Sequence, residues 1–155
     1  MSEAVDFWER VETLRMRDQR HPREAYAFVM AALGHTLERL PAERRASPVL
    51  RHVTGLELVA GLLDLARQEF GFLAWAVLGQ WRLRTGLDVG QVVFQLVEAQ
   101  VLSRREEDRL EDFARAPDFR AVLEEDFDWS RLFELPGEES SRPTGNPPET
   151  PAEGP

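Results

Sequence analysis

The chain of 155 residues contains no lysine, no isoleucine and no cysteine, and its 19 basic residues are all arginine. Without lysine there is no Schiff-base chemistry and no Walker A loop, which needs a lysine on the β- and γ-phosphates. Without cysteine there is no thiol nucleophile, disulfide or thiolate metal site, and cysteine usage says nothing about the redox compartment. Long apolar runs are missing too. The most apolar stretch, Phe70 to Gly79 (FGFLAWAVLG), is about half of the ~20 residues needed to span a bilayer. The N-terminal MSEAVDFWER has neither the basic nor the apolar region of a signal peptide, so the expectation is a cytoplasmic protein that contacts no membrane. A basic excess is also lacking. The net charge of -9 disfavours a general binder of nucleic acid or anionic lipid, which has phosphates to neutralise.

What is present is helical pattern. With 43% hydrophobic residues the chain is long enough for one domain with a real core. Ala4, Phe7, Val11 and Leu14 recur at three- and four-residue steps and predict an amphipathic helix over Glu3 to Asp18, its stripe widened by Trp8. Pro22 and Glu24 suit the first turn of a second helix, whose core face is Ala25, Phe28, Val29, Ala32, Leu33, Leu37 and Leu40. Pro41 to Arg51 reads as a loop with an extended piece at Val49 to Val53. Thr54 with Glu57 forms a capping-box pattern and Val53 can staple onto Leu58, opening a helix that buries Leu58, Leu62, Leu65 and Ala66 and ends at Gly71. Phe70 to Gly79 follows as a buried central helix, and Gly61, Gly79 and Gly90 suggest close helix approach beside an indole.

Thr85 and Asp88 start the next helix, with Val89, Val92, Val93, Leu96 and Val97 inward. Ser103 to Glu106 is a third capping-box pattern. Beyond Pro117, Asp118 is placed to cap a last short helix through Phe119, Val122 and Leu123. The expectation is an all-α, compact orthogonal bundle of about six helices over Ser2 to Leu135. The stretch from Pro136 onward is a disordered tail rich in Pro and Glu. The second half also reads as helix-turn-helix-like, with the helix after Thr85 in the recognition position. Its polar face of Asp88, Gln91, Gln95 and Glu98 carries no arginine, which argues against DNA and leaves protein contact open.

No constellation outweighs its structural reading. Glu106, Glu107, Asp108, Glu111 and Asp112 lack the loop glycine and ligand spacing of an EF-hand and read as a solvated helix start. His21, His35 and His52 show no zinc-ligand spacing and read as structural or solvated. Arg15, Arg17, Arg20 and Arg23 crowd the junction of the first two helices. They read as salt-bridged surface with Glu12 and Asp18 among the partners at hand, and alternatively as a phosphate-contacting patch together with Arg44, Arg45 and Arg51. Phe127, Trp129, Leu132 and Phe133 lie in an aromatic-acidic segment, either a docked terminal helix or a motif offered to a partner.

Three stretches, Glu24 to Thr36, Arg51 to Gly71, and Leu78 to Phe113, resemble in order a small bacterial family of uncharacterised, mainly helical proteins, with Asp118 and Phe119 as a further shared element. The resemblance implies a helical fold and assigns no residue a role. No cofactor, metal or catalytic residue is called for. The leading expectation is a non-enzymatic protein-interaction or adaptor module. A nucleic-acid-associated regulator using the arginine patch is the alternative, and an enzyme with an unrecognised site the third.

Overall fold

The computed structural model describes residues 3–47, 52–103 and 110–125, of which the side chains of 3–5 and 125 are not described. Among the described residues there are seven α-helices and no strand: α1 (Glu3–Arg17), α2 (Arg23–Arg39), α3 (Ala42–Ala46), α4 (Gly55–Phe70), α5 (Ala74–Gln80), α6 (Gly86–Glu98) and α7 (Leu110–Ala114). A 3₁₀ turn, Gly71–Leu73, joins α4 to α5, and a π-helical turn covers Ala121–Glu125. The tail from Pro136, the segment holding Phe127, Trp129, Leu132 and Phe133, and the box at Ser103 to Glu106 beyond Ser103 itself lie outside the described residues.

The bundle is built on α2, α4 and α6. Ala25, Val29 and Ala32 of α2 meet Val59, Leu62 and Ala66 of α4, while Val89, Val92 and Leu96 of α6 complete the same core. Val11 and Leu14 attach α1, and Phe113, Phe119 and Leu123 bring in the C-terminal elements. Phe28, Phe70 and Trp81 form a ring cluster with centroids 5.2–5.7 Å apart. Beside it the buried His21 has its Nδ1 3.1 Å from the Trp81 carbonyl oxygen.

The caps explain the boundaries. The Thr85 hydroxyl accepts from the Asp88 amide, and the Asp88 carboxylate accepts from the Thr85 amide at 3.1 Å, a complete capping box. At α4 the Thr54 hydroxyl accepts from the Glu57 amide at 3.1 Å. The Glu57 carboxylate, expected to return to the Thr54 amide, pairs chiefly with Arg44 at 2.8 and 3.2 Å, and Arg44 also donates to the His52 carbonyl. That ion pair, ahead of the Thr54 contacts, holds the Glu57 carboxyl below its ordinary range.

Three expectations are corrected. The loop from Pro41 contains α3, because proline lacks only an amide that a helix start leaves unpaired anyway; this short helix also raises the count above six. Phe70 to Gly79 is no buried helix: Gly71 turns the chain at a φ of 54°, leaving Phe72 and Leu73 about half exposed, and only Ala74 and Leu78 of α5 are buried. The close approaches at glycine are real at two of three positions, but their partners are not indoles. A Cβ on Gly61 would lie 1.8 Å from the Thr36 hydroxyl and one on Gly90 2.8 Å from the Phe113 ring, whereas at Gly79 the nearest neighbour is Arg84 at 3.6 Å. As expected, Asp118 caps a short helix, accepting from the Arg120 and Ala121 amides at 2.9 and 3.3 Å; the helix starts at Phe119 and takes π-helical form over Ala121–Glu125.

Candidate functional site

Helix α1 runs antiparallel to α6: Arg10 reaches the Ala99 and Gln100 carbonyls at the end of α6, while Asp18, two turns further on, reaches Gln95. The two helices enclose a cleft of about 760 Å³. Leu14, Phe94 and Leu110 supply its apolar surface, and Gln91, Gln95 and Glu98 line its α6 side. The amphipathic pattern of each helix produces this directly. Both bury one face in the core, and their polar flanks are left facing each other.

Two polar clusters hold the cleft walls. At one end Arg10 is paired with Asp6 at 3.1 Å and donates to the Ala99 and Gln100 carbonyls at 3.1 and 3.0 Å, so a cation satisfies the C-terminal carbonyls of α6. At the other end the fully buried Tyr26 hydroxyl donates to Gln95 Oε1 at 2.7 Å, and Gln95 Nε2 donates to Asp18 at 2.9 Å. Asp18 also accepts from the Arg20 guanidinium at 2.8 Å and the Arg20 amide at 3.0 Å. These bonds from Arg20 hold the Asp18 carboxyl down at about 2. Burial, followed by the negative charge of Asp18, pushes the Tyr26 hydroxyl up from its ordinary range. Each member of this chain of bonds has a partner, from the buried Tyr26 hydroxyl out to the exposed Arg20.

Among the described residues the remaining charges of the cleft are unpaired. Glu9 and Glu98, near the Arg10 end, and Arg17, near the Asp18 end, have no ion-pair partner among the described residues. The cleft is thus acidic at one end and basic at the other. The four junction arginines are distributed by the fold. Arg15 pairs with Glu12 at 3.1 Å, Arg20 with Asp18, and Arg23 lies 3.8 Å from Glu24 with its guanidinium over the Trp8 ring; Arg17 lines the cleft with no ion-pair partner among the described residues. Arg44 of α3 is taken up by Glu57. His35 is bonded to Asp64 at 2.8 Å, an oxygen shared with Arg39.

Sequence reading placed Gln95 on an exposed face and passed over Tyr26. The one available signal was a lone tyrosine beside Ala25 on the core side of α2. No group of three or more His, Cys, Asp or Glu among the described residues is arranged to hold a metal ion, and no helix there is long and apolar enough to cross a membrane.

Fold and cleft together define a small all-helical domain with a preformed, bipolar groove between two antiparallel helices. No family model, curated protein or solved structure matches the chain.

Proposed function

We propose that the chain is a non-enzymatic protein-interaction module of the cytoplasm whose α1/α6 cleft receives a short segment of a partner protein. The observation that carries this reading is a cleft lined by Leu14, Phe94 and Leu110, with Glu9 and Glu98 toward one end and Arg17 toward the other, all three charges unpaired among the described residues. Glu9 and Arg17 are eight residues apart on one helix, about 12 Å along its axis. The fitting partner segment carries a basic and an acidic side chain at about that separation, with an apolar residue between. Charge at the rim then sets orientation and the apolar floor supplies affinity. The helix-turn-helix-like view of α5 and α6 belongs to the same proposal. Gln91, Gln95 and Glu98, the face a recognition helix would present, line the cleft beside α1 and suit a peptide better than a phosphate backbone. Phe127, Trp129, Leu132 and Phe133 are proposed as a further partner contact. The resemblance to a helical family adds a fold-level expectation only.

The test is capture from native lysate by the parent, Arg17→Glu and Glu98→Arg chains. Partners retained by the parent and lost by both reversed chains are the expected result. The same partners with all three, or none with any, overturns the reading. Arg17 is also the observation that favours the nucleic-acid alternative, and salt-sensitive RNA or DNA binding lost in Arg17→Glu would replace the peptide reading with that one.

A further inference from the structure

The turn between α5 and α6 forms a second recess, of about 610 Å³, that shares no lining residue with the cleft. Trp75, Gln80, Arg82 and Arg84 surround it. Arg82 stands at a φ of 57°, a backbone position usually given to glycine, with its side chain exposed. The Arg84 guanidinium lies along α5 over Gly79, where a Cβ would sit 3.6 Å from Nη2. Neither guanidinium meets a carboxylate among the described residues, although the chain has a net charge of -9. Asp88 is the one acid on the rim among the described residues, and it is turned to the backbone, accepting from the Arg84 and Thr85 amides at 3.0 and 3.1 Å. The half-buried Trp75 ring forms one wall, with the Arg120 guanidinium 6.0 Å from its centroid.

Two guanidinia unpaired among the described residues, an amide and an aromatic wall at one recess match an oxyanion attached to a flat ring. Guanidinium forks bind phosphate oxygens with directional, charge-assisted bonds, and an indole offers a stacking surface. We infer that this recess binds a small organic phosphate whose phosphate group sits between Arg82 and Arg84 and whose planar ring lies against Trp75. Gln80 supplies an uncharged hydrogen-bonding group at the same rim.

The full chain is titrated with phenyl phosphate, a nucleoside monophosphate, the matching nucleoside and inorganic phosphate, following the Trp75 indole N–H by NMR. Saturable binding of one or both ring phosphates, weaker binding of inorganic phosphate and none of the nucleoside is expected; which ring phosphate binds distinguishes an aryl ester from a nucleotide. Arg84→Gln should weaken the binding roughly tenfold, the equivalent of one charge-assisted contact of about 1.4 kcal/mol. Arg82→Gly removes a guanidinium while relieving the backbone, so binding should fall as thermal stability rises. That combination cannot come from misfolding. No saturation below about 10 mM for either ring phosphate, or unchanged affinity in both arginine variants, overturns the assignment.

Discussion

Helices α5 and α6 end in the same way, and the way they end yields a quantitative prediction. At α5 the Leu83 amide donates to the Leu78 carbonyl at 2.9 Å and the Arg82 amide to Gly79 at 3.1 Å; at α6 the Val101 amide donates to Leu96 at 2.9 Å and the Gln100 amide to Val97 at 3.0 Å. Each pair of bonds is a Schellman closure, which requires its middle residue to be left-handed. Arg82 and Gln100 meet that requirement with φ values of 57° and 61°, although both carry a Cβ. For an L-residue the left-handed region costs about 1–2 kcal/mol. Glycine removes that cost but brings more unfolded-state freedom, worth about 0.5–1 kcal/mol against it. The balance is a gain of about 0.5–1 kcal/mol for Gln100→Gly, whose main-chain carbonyl still accepts from Arg10, and a similar gain for Arg82→Gly. The double variant should gain their sum, because the two turns share no partner. Urea unfolding followed by circular dichroism should show raised midpoints at constant m-value. Gln100→Ala keeps a Cβ at positive φ and should gain nothing. A Gln100→Gly chain no more stable than Gln100→Ala would refute the left-handed closure.

Gly61→Ala should destabilise by about 1–3 kcal/mol despite the better helix propensity of alanine, because its Cβ meets the Thr36 hydroxyl. Thr36→Ala in the same chain should restore most of the loss, as a double-mutant cycle by denaturation will record. Asp18 has its carboxyl lowered from 3.8 to about 2 by Arg20. An acid depressed in the native state contributes stability above its unfolded value and loses it as pH falls through the native one. The loss therefore falls between about pH 4 and pH 2, and amounts to about 1 kcal/mol once solvent screening of the exposed Arg20 is allowed for; Asp18→Asn should flatten that part of the stability profile. Thr85→Ala and Thr54→Ala should each cost about 1 kcal/mol in thermal unfolding, the first through a complete capping box and the second through one hydroxyl bond.

The helix starts at Thr54 and Thr85 were legible in the sequence because a cap is a local event: the hydroxyl and the amide it serves are three residues apart. The faces of α4 and α6 were legible for a related reason, since a 3.6-residue period marks Leu58, Leu62 and Ala66, and Val89, Val92 and Leu96, without knowing what they meet. Phe70 to Gly79 misled because an apolar run without a period says nothing about direction. Gly71 sends Phe72 and Leu73 outward, and the centre of the core falls on α2, α4 and α6. The α1/α6 cleft was not legible. It depends on Asp18 meeting Gln95 across 77 residues of sequence and on Arg10 meeting Gln100 across 90, contacts that only tertiary packing creates.

Those same distant contacts support the recognition role proposed for this cleft. Tyr26 lies wholly in the core, so its bond to Gln95 fixes a side chain of α6 from behind, and Gln95 in turn fixes Asp18 on the opposite wall. Arg10 does the same at the far end by binding the last carbonyls of α6. The separation of α1 and α6 is therefore held at both ends by bonds that do not use Glu9, Glu98 or Arg17. A groove set in this way presents Glu9, Glu98 and Arg17, unpaired among the described residues, at fixed spacing, so the proposed partner segment would cost little additional ordering on this side of the contact. Tyr26→Phe distinguishes this support from direct contact. It leaves every cleft-lining residue unchanged while taking the only described donor from Gln95 Oε1. Its expected signature is a stability loss of about 1–2 kcal/mol accompanied by weaker partner capture; capture equal to that of the parent would mean that the groove holds its shape without the buried tyrosine.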